Sequence, residues 1–387
     1  MSESVDIVKI RQRRRRRRRN SKILIGVLVV GLCVFLYSKR DVWFPKLEGI
    51  GTRYQNVTQN ENADEEGYYP LSVSGGVDYY TNIVGNHLFI LCDMYLYVYE
   101  SDGSLRDSRQ HAYSNAVMHT AGSRSLLYSC WGNKLRVDTA SKMLYEKTIE
   151  QSILCASINE KGYVAVVTEA ETRPCSLLIF DPSGKQIYSR DCVERIVDVA
   201  ILEESCIFAT VGAENGELVT QLQHIRFDEN DAQWSTAPLP TLCMRVHALS
   251  DGGAFVIGDT KCAYYSSTGA LVSSYDYTGT LTDYAYADDN TAILLKNEER
   301  RQSTLLLFSD PASAPLAVPF DSIQKSVTID DNRAYLLGSD MINGYGFNGE
   351  RLSSLEMTDA YERILKKGKY FYLLGYDKIN RIHVKGS

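Results

Sequence analysis

The chain has 387 residues, 48 acidic against 42 basic side chains for a formal net charge of −6, and 44% hydrophobic content. It is long enough to bury a sizeable core, and its acidic balance excludes a body that grips nucleic acid through phosphate contacts. The charge is unevenly placed, and that partition is the first guide to organisation.

Residues 1–22 are a basic tail containing Lys9, Arg11, the unbroken run Arg13 to Arg19, and Lys22. An uncharged apolar stretch follows from Ile23 to Tyr37; as a helix it covers roughly 22 Å of a ~30 Å hydrocarbon layer. Lys22 and Lys39 can snorkel to the interface, and Tyr37, Trp43 and Phe44 suit headgroup depth. The expectation is one transmembrane helix over residues 23–38. A cleaved signal peptide or a buried helix is the alternative, although Ser38-Lys-Arg-Asp-Val-Trp43 offers no small-x-small cleavage site. Ten basic residues before the span against Lys39 and Arg40 after it put the N-terminus in the cytoplasm and the remainder outside, as a single-pass cell-membrane protein. Arg13 to Arg19 are expected to attract anionic lipid headgroups, at about 1 kcal/mol per basic residue. Without these twelve basic residues and without Glu3 and Asp6, 30 Lys and Arg face 46 Asp and Glu, a net charge near −16 for the exported part. No nucleic-acid partner is expected of it. Residues 39–68, with Pro45, Gly49, Gly51 and the polar run from Gln55 to Gly67, hold too few apolar groups to fold alone and read as a stalk.

Residues 69–387 alternate short β-type runs with Gly, Asp and Asn turns, and almost no helical period persists over three turns. Turn-plus-strand segments such as Gly85-Asn-His-Leu-Phe-Ile-Leu, Lys161-Gly-Tyr-Val-Ala-Val-Val and Asp331-Asn-Arg-Ala-Tyr-Leu-Leu begin at 85, 122, 161, 204, 252, 289, 331 and 367, recurring every 36 to 48 residues. That is the spacing of four-stranded propeller blades. Runs such as Arg195 to Ile201 and Gln324 to Asp330 precede these segments as innermost strands, and Ser101-Asp-Gly103, Pro182-Ser-Gly184, Ser267-Thr-Gly269 and Phe347-Asn-Gly349 read as hairpin turns. The last repeat ends after three strands, and Tyr69 to Ser74 is expected to supply its outer strand and close the ring. The fold class is therefore all-β, a β-propeller of eight blades, with seven the next count.

Little of the sequence carries chemistry. His87, His111, His119, His224, His247 and His383 fall in different repeats without metal spacing. Gly344-Tyr-Gly-Phe-Asn-Gly349 matches the dinucleotide pattern, but in a strand and hairpin turn, and Asp228-Glu-Asn-Asp231 lacks the Gly and distal Glu of a calcium loop. Neither a G-x-S-x-G elbow, an H-E-x-x-H helix nor a C-x-x-C pair is present. No catalytic residue, metal or cofactor is expected, and the protein reads as a non-enzyme. Cys33 lies in the apolar span, and the other eight cysteines mostly sit singly in apolar strands as small hydrophobes. Cys175 and Cys192 face each other if Ser183-Gly184 turns their hairpin, and one bulge residue would offset them; a disulfide and free thiols both stay open.

Binding is better supported, because a propeller holds its loops rigidly on two broad faces. Connections between second and third strands share one face: Thr168 to Pro174, Gly212 to Glu217, Lys296 to Gln302 and Trp131-Gly-Asn133. The candidate binding residues there are Trp131, Glu171, Arg173, Glu214, Asn215, Arg300 and Arg301, with solvated turns as the plain alternative.

The layout of basic tail, single span, polar stalk and degenerate repeats with D-x-x-G turns resembles an uncharacterised family of single-span, propeller-bearing envelope proteins of clostridial Gram-positive bacteria. The repeat also resembles, in architecture only, the eight-bladed quinoprotein type used by periplasmic dehydrogenases and by an outer-membrane assembly scaffold. This chain lacks that type's regular blade-end Trp and its calcium and quinone ligands, so the resemblance implies no cofactor here. What it implies is a membrane-anchored envelope platform for a protein partner. An extracytoplasmic ligand or glycan sensor is the second reading, favoured if exposed Trp and Tyr line a central pocket. An enzyme is third, favoured if carboxylates and histidine converge on the central channel.

Overall fold

The computed structural model describes residues 68–73, 79–229 and 231–383. The expected basic tail, membrane span and most of the stalk lie outside the described residues. Among those that are described, no helix is long and apolar enough to cross a membrane.

Eight four-stranded antiparallel sheets form the fold. In chain order the blades comprise residues 80–110, 116–148, 153–192, 195–235, 243–276, 280–320, 326–356 and 363–383, here blades 1 to 8. Blade 8 takes its outer strand from the other end of the domain: Leu71 pairs with Ile379 and Ser72 with Lys378. The expected closing strand is thus present, shortened to Leu71–Ser72 and extended by the Val73 amide donating to Asp377 O at 2.9 Å. The inner strands of blades 8 and 1 pack together, completing the ring.

Period-two patterning explains the packing. Second strands such as His87–Leu91 and Val164–Thr168 are buried on both faces, so they read as continuous apolar runs. Alternate residues serve opposite neighbours: Phe89 and Leu91 join the cluster with blade 2, whereas Leu88 and Ile90 join that with blade 8. One apolar cluster fills each of the eight interfaces. Outer strands such as Leu105–Gln110 and Arg351–Glu356 alternate exposed and half-buried residues, because one face meets water.

The hairpin glycines have a packing role besides their turn geometry. Gly103, Gly184, Gly269 and Gly349 hold φ of 87°, 82°, 78° and 80°, a region only glycine enters freely. A Cβ at these positions would run into Tyr69, Tyr145, Trp234 or Leu316 of the preceding blade. Each side chain therefore lies flat on its neighbour's turn, and Trp234 adds a hydrogen bond from Nε1 to Ser267 O at 2.9 Å. The dinucleotide-like glycines end in such a turn after the strand Met341–Gly346, as their context implied.

Candidate functional site

The topology puts the second-to-third-strand turns and the links from each outer strand to the next inner strand on one face, called the upper face. Trp131, Glu171, Arg173, Glu214, Asn215, Arg300 and Arg301 all occupy it, but on blades 2, 3, 4 and 6, so they border the ring without converging. Trp131 is 60% exposed. It adopts φ 63° while its amide donates to Ile153 O at 2.8 Å. Two of the expected loops are instead strands. Ser205–Glu214 and Glu217–Arg226 pair residue for residue to Glu214↔Glu217, leaving Asn215-Gly216 as the whole turn. Asn290–Asn297 and Gln302–Phe308 likewise reduce the blade 6 loop to residues 298–301. Continuous ladder pairing won over the polar composition that suggested loops.

Several exposed apolar side chains join Trp131 on this face: Tyr80, Met94, Val193, Leu218, Met244 and Tyr376. Between blades 1 and 2 the face opens into a cleft of about 550 Å³ lined by Tyr80, Met94, Asp93, Tyr113, Asn115 and Cys130, among others. Ala112 and Asn115 on its rim hold φ of 53° and 48°. Non-glycine residues in that region store local strain. The cleft floor is tied down by a hydrogen bond from Tyr113 Oη to Glu146 Oε1 at 2.5 Å and by His111, whose Nε2 lies 2.8 Å from Cys92 O.

Polar groups also meet along the axis. In blades 3 to 6 a bulge in the inner strand precedes Cys155, Asp198, Arg245 and Asp283, putting them in equivalent positions. Asp198 accepts from the Val246 amide at 2.7 Å and from Arg245 Nη1 at 3.1 Å, linking blades 4 and 5. Asp283 accepts from Ser326 Oγ at 2.7 Å and from the Val327 amide at 2.9 Å, linking blades 6 and 7. The Arg245 charge acts on His119 of blade 2, Cys155 of blade 3 and Tyr286 of blade 6, so it sits close to the axis. These inner-strand charges were missed in the sequence; their signal is a single charged residue inside an apolar run, as in Ile196-Val-Asp-Val-Ala200.

Burial pushes the Asp198 carboxyl up, against the pull of Arg245 and the Val246 amide. Burial, helped by Arg245, brings His119 down to about 3. A histidine so depressed is neutral at pH 7 and far from the range in which general acids and bases work. Because its folded value lies below the ordinary 6.5, the folded state binds fewer protons. The associated stability is complete above pH 6.5 and is lost as pH falls toward 3. At pH 5 the expected loss is up to about 2 kcal/mol relative to pH 7.5, and burial of His111, His224 and His247 acts in the same direction. Urea midpoints at the two pH values measure it, and His119→Gln should flatten the dependence.

Among solved structures sharing this fold, the computationally designed protein Ika8 aligns with TM-score 0.61 at 10% identity, over 81% of this chain and 98% of its own. Sqt1 of Saccharomyces cerevisiae aligns with TM-score 0.56 at 9% identity, over 82% and 98%. BamB from Moraxella catarrhalis aligns with TM-score 0.53 at 12% identity, also over 82% and 98%. At such identities the likeness is one of fold. No curated protein matches the chain. The pattern of one family spans residues 54–384, which includes every described strand of the propeller: the chain belongs to the family of unknown function DUF5711.

Proposed function

We propose that this protein is a non-enzymatic interaction platform whose upper propeller face holds a protein partner, with residues 23–38 anchoring it in the membrane and the propeller outside. The carrying observation is the exposed apolar side chains on that face, Trp131, Met94 and Leu218 among them, beside the long hairpin that pairs Ser205–Glu214 with Glu217–Arg226. Exposed apolar residues are ordinary on a protein surface, and a face of rigidly held turns that carries several of them is where a partner is best sought. Other exposed apolar residues, such as Leu105, Leu271, Leu316 and Leu352, begin outer strands, where Leu316 covers the neighbouring turn glycine. The basic tail and apolar stretch support the anchor and its orientation, with Arg13 to Arg19 against anionic headgroups.

A photo-crosslinking residue at Trp131 or Leu218 of the full-length chain tests the reading in intact cells, with Met143 on the outer strand of blade 2 as the reference. The expected result is one discrete adduct from the first two positions and none from Met143. Deleting residues 1–40 should move the protein out of the membrane fraction. Equal adducts from all three positions would overturn the platform, and an intact chain found soluble would overturn the anchor.

A glycan or small-ligand module is the second reading. It is favoured by the cleft between blades 1 and 2, where the exposed ring of Tyr80 lies beside the polar groups of Asp93 and Asn115. Aromatic surface with a few polar groups suits such ligands.

A further inference from the structure

Cys175 and Cys192 stand directly opposite each other on the third and outer strands of blade 3. The hairpin between them is longer than a two-residue turn, and a register shift between Ile179 and Phe180 restores the pairing. Both side chains are buried, at 0% and 4% exposure, as free thiols. The Ile196 amide donates to Cys175 Sγ at 3.4 Å, a contact that favours a thiolate there. The Cys175 thiol also points to Glu194 O at 3.3 Å, and that of Cys192 to Arg190 O at 3.8 Å. Opposite residues of an antiparallel pair have Cβ atoms about 4.5–5.5 Å apart. A disulfide takes about 3.5–4.5 Å, so a small approach closes it.

We infer that Cys175 and Cys192 are a redox-active pair that a small-molecule disulfide converts into a cross-strand disulfide, Cys175 attacking and Cys192 resolving. The neighbouring Cys192 side chain, with the Ile196 amide, outweighs burial and draws Cys175 below the usual thiol range, while the same neighbour relation raises Cys192. Burial pushes Cys155, Cys206, Cys243 and Cys262 the other way, so Cys175 is set apart from thiols in similar apolar surroundings. In the first step the Cys175 thiolate attacks one sulfur of glutathione disulfide; a mixed disulfide forms and one glutathione thiolate leaves. In the second, Cys192 displaces the remaining glutathione, its proton passing to the departing sulfur. The protein dithiol is oxidised and one glutathione disulfide is reduced to two thiols. Because attack needs the strand ends to part, the reaction also reports opening beside the Thr168 to Pro174 loop. The inference does not depend on the platform reading.

The test uses the purified full-length chain in mild detergent, reduced, freed of reductant, exposed to glutathione disulfide, then acid-quenched, alkylated under denaturing conditions and peptide-mapped. The expected product links the peptides bearing Cys175 and Cys192, while Cys206, Cys243 and Cys262 are recovered alkylated. In Cys192→Ser, Cys175 should retain glutathione; in Cys175→Ser, Cys192 should not. Wild-type mapping decides the linkage even where a variant folds poorly. Absence of the linked pair, or linkage of other pairs instead, would overturn the site. Equal glutathione capture by both variants would overturn the assigned roles.

Discussion

Asp138→Ala is expected to destabilise the propeller by about 3–5 kcal/mol. The carboxylate is fully buried, with Arg109 Nη1 at 2.9 Å and Arg136 Nε at 2.8 Å. Arg109 comes from the outer strand of blade 1 and also donates to Thr139 O at 2.7 Å and Ala140 O at 3.0 Å; Arg136 comes from blade 2 and donates to Gln110 O at 3.0 Å. Truncating the shared acceptor leaves two guanidinium groups facing each other in the interface with one carboxylate, Asp107 at 2.7 Å from Arg109, on the more exposed side. A buried pair adds little net stability when made, because desolvation offsets attraction, but breaking one side of it is costly. Replacing Arg136 and Asp138 together by apolar residues of similar volume should therefore recover most of the loss. Urea denaturation of the two variants checks both statements, and a double variant as unstable as Asp138→Ala would refute the argument.

Removing residues 1–73 should cost more than any single core substitution, because it opens the ring. Leu71 is buried among Leu88, Ile90, Tyr372, Leu374 and Ile379, and it brings together blade 8, the incoming chain and blade 1. Leu71→Ala alone should cost about 2–4 kcal/mol by the transfer and cavity terms of a buried leucine. The full deletion also bares the edge of the strand Lys378–His383, whose unpaired amides and carbonyls can template strand addition. Lower thermal stability and concentration-dependent association, measured by light scattering, are the expected results. A synthetic peptide of residues 68–73 supplied in excess should reverse them by strand addition. A truncated chain as stable and monomeric as the intact one would show that closure contributes little.

The upper face was partly legible. Turn composition assigns Trp131, Arg173 and Arg301 to second-to-third-strand connections, and these share a face because strand order alone decides which turns do. The cleft was not legible, since Tyr80 and Asn115 come together only through packing of neighbouring blades. The pairing of Cys175 with Cys192 depended on a turn length and a bulge that compensate one another, and composition specifies neither with certainty.

The sequence by itself determined the all-β class, the eight-fold repeat, the glycine turns and the strand that closes the ring. Each follows from local rules: apolar runs of strand length, positive φ that glycine alone enters freely, and a last repeat one strand short. Only the tertiary structure decided which loops are really extended hairpins, and where inner-strand bulges bring Asp198 and Arg245 together. It likewise decided which outer-strand side chains cover the next blade's turn. These depend on ladder register and on contacts between blades roughly 40 residues apart. Non-local pairing of that kind is settled by the packing of the whole ring, in which a shift of one residue exchanges buried and exposed faces.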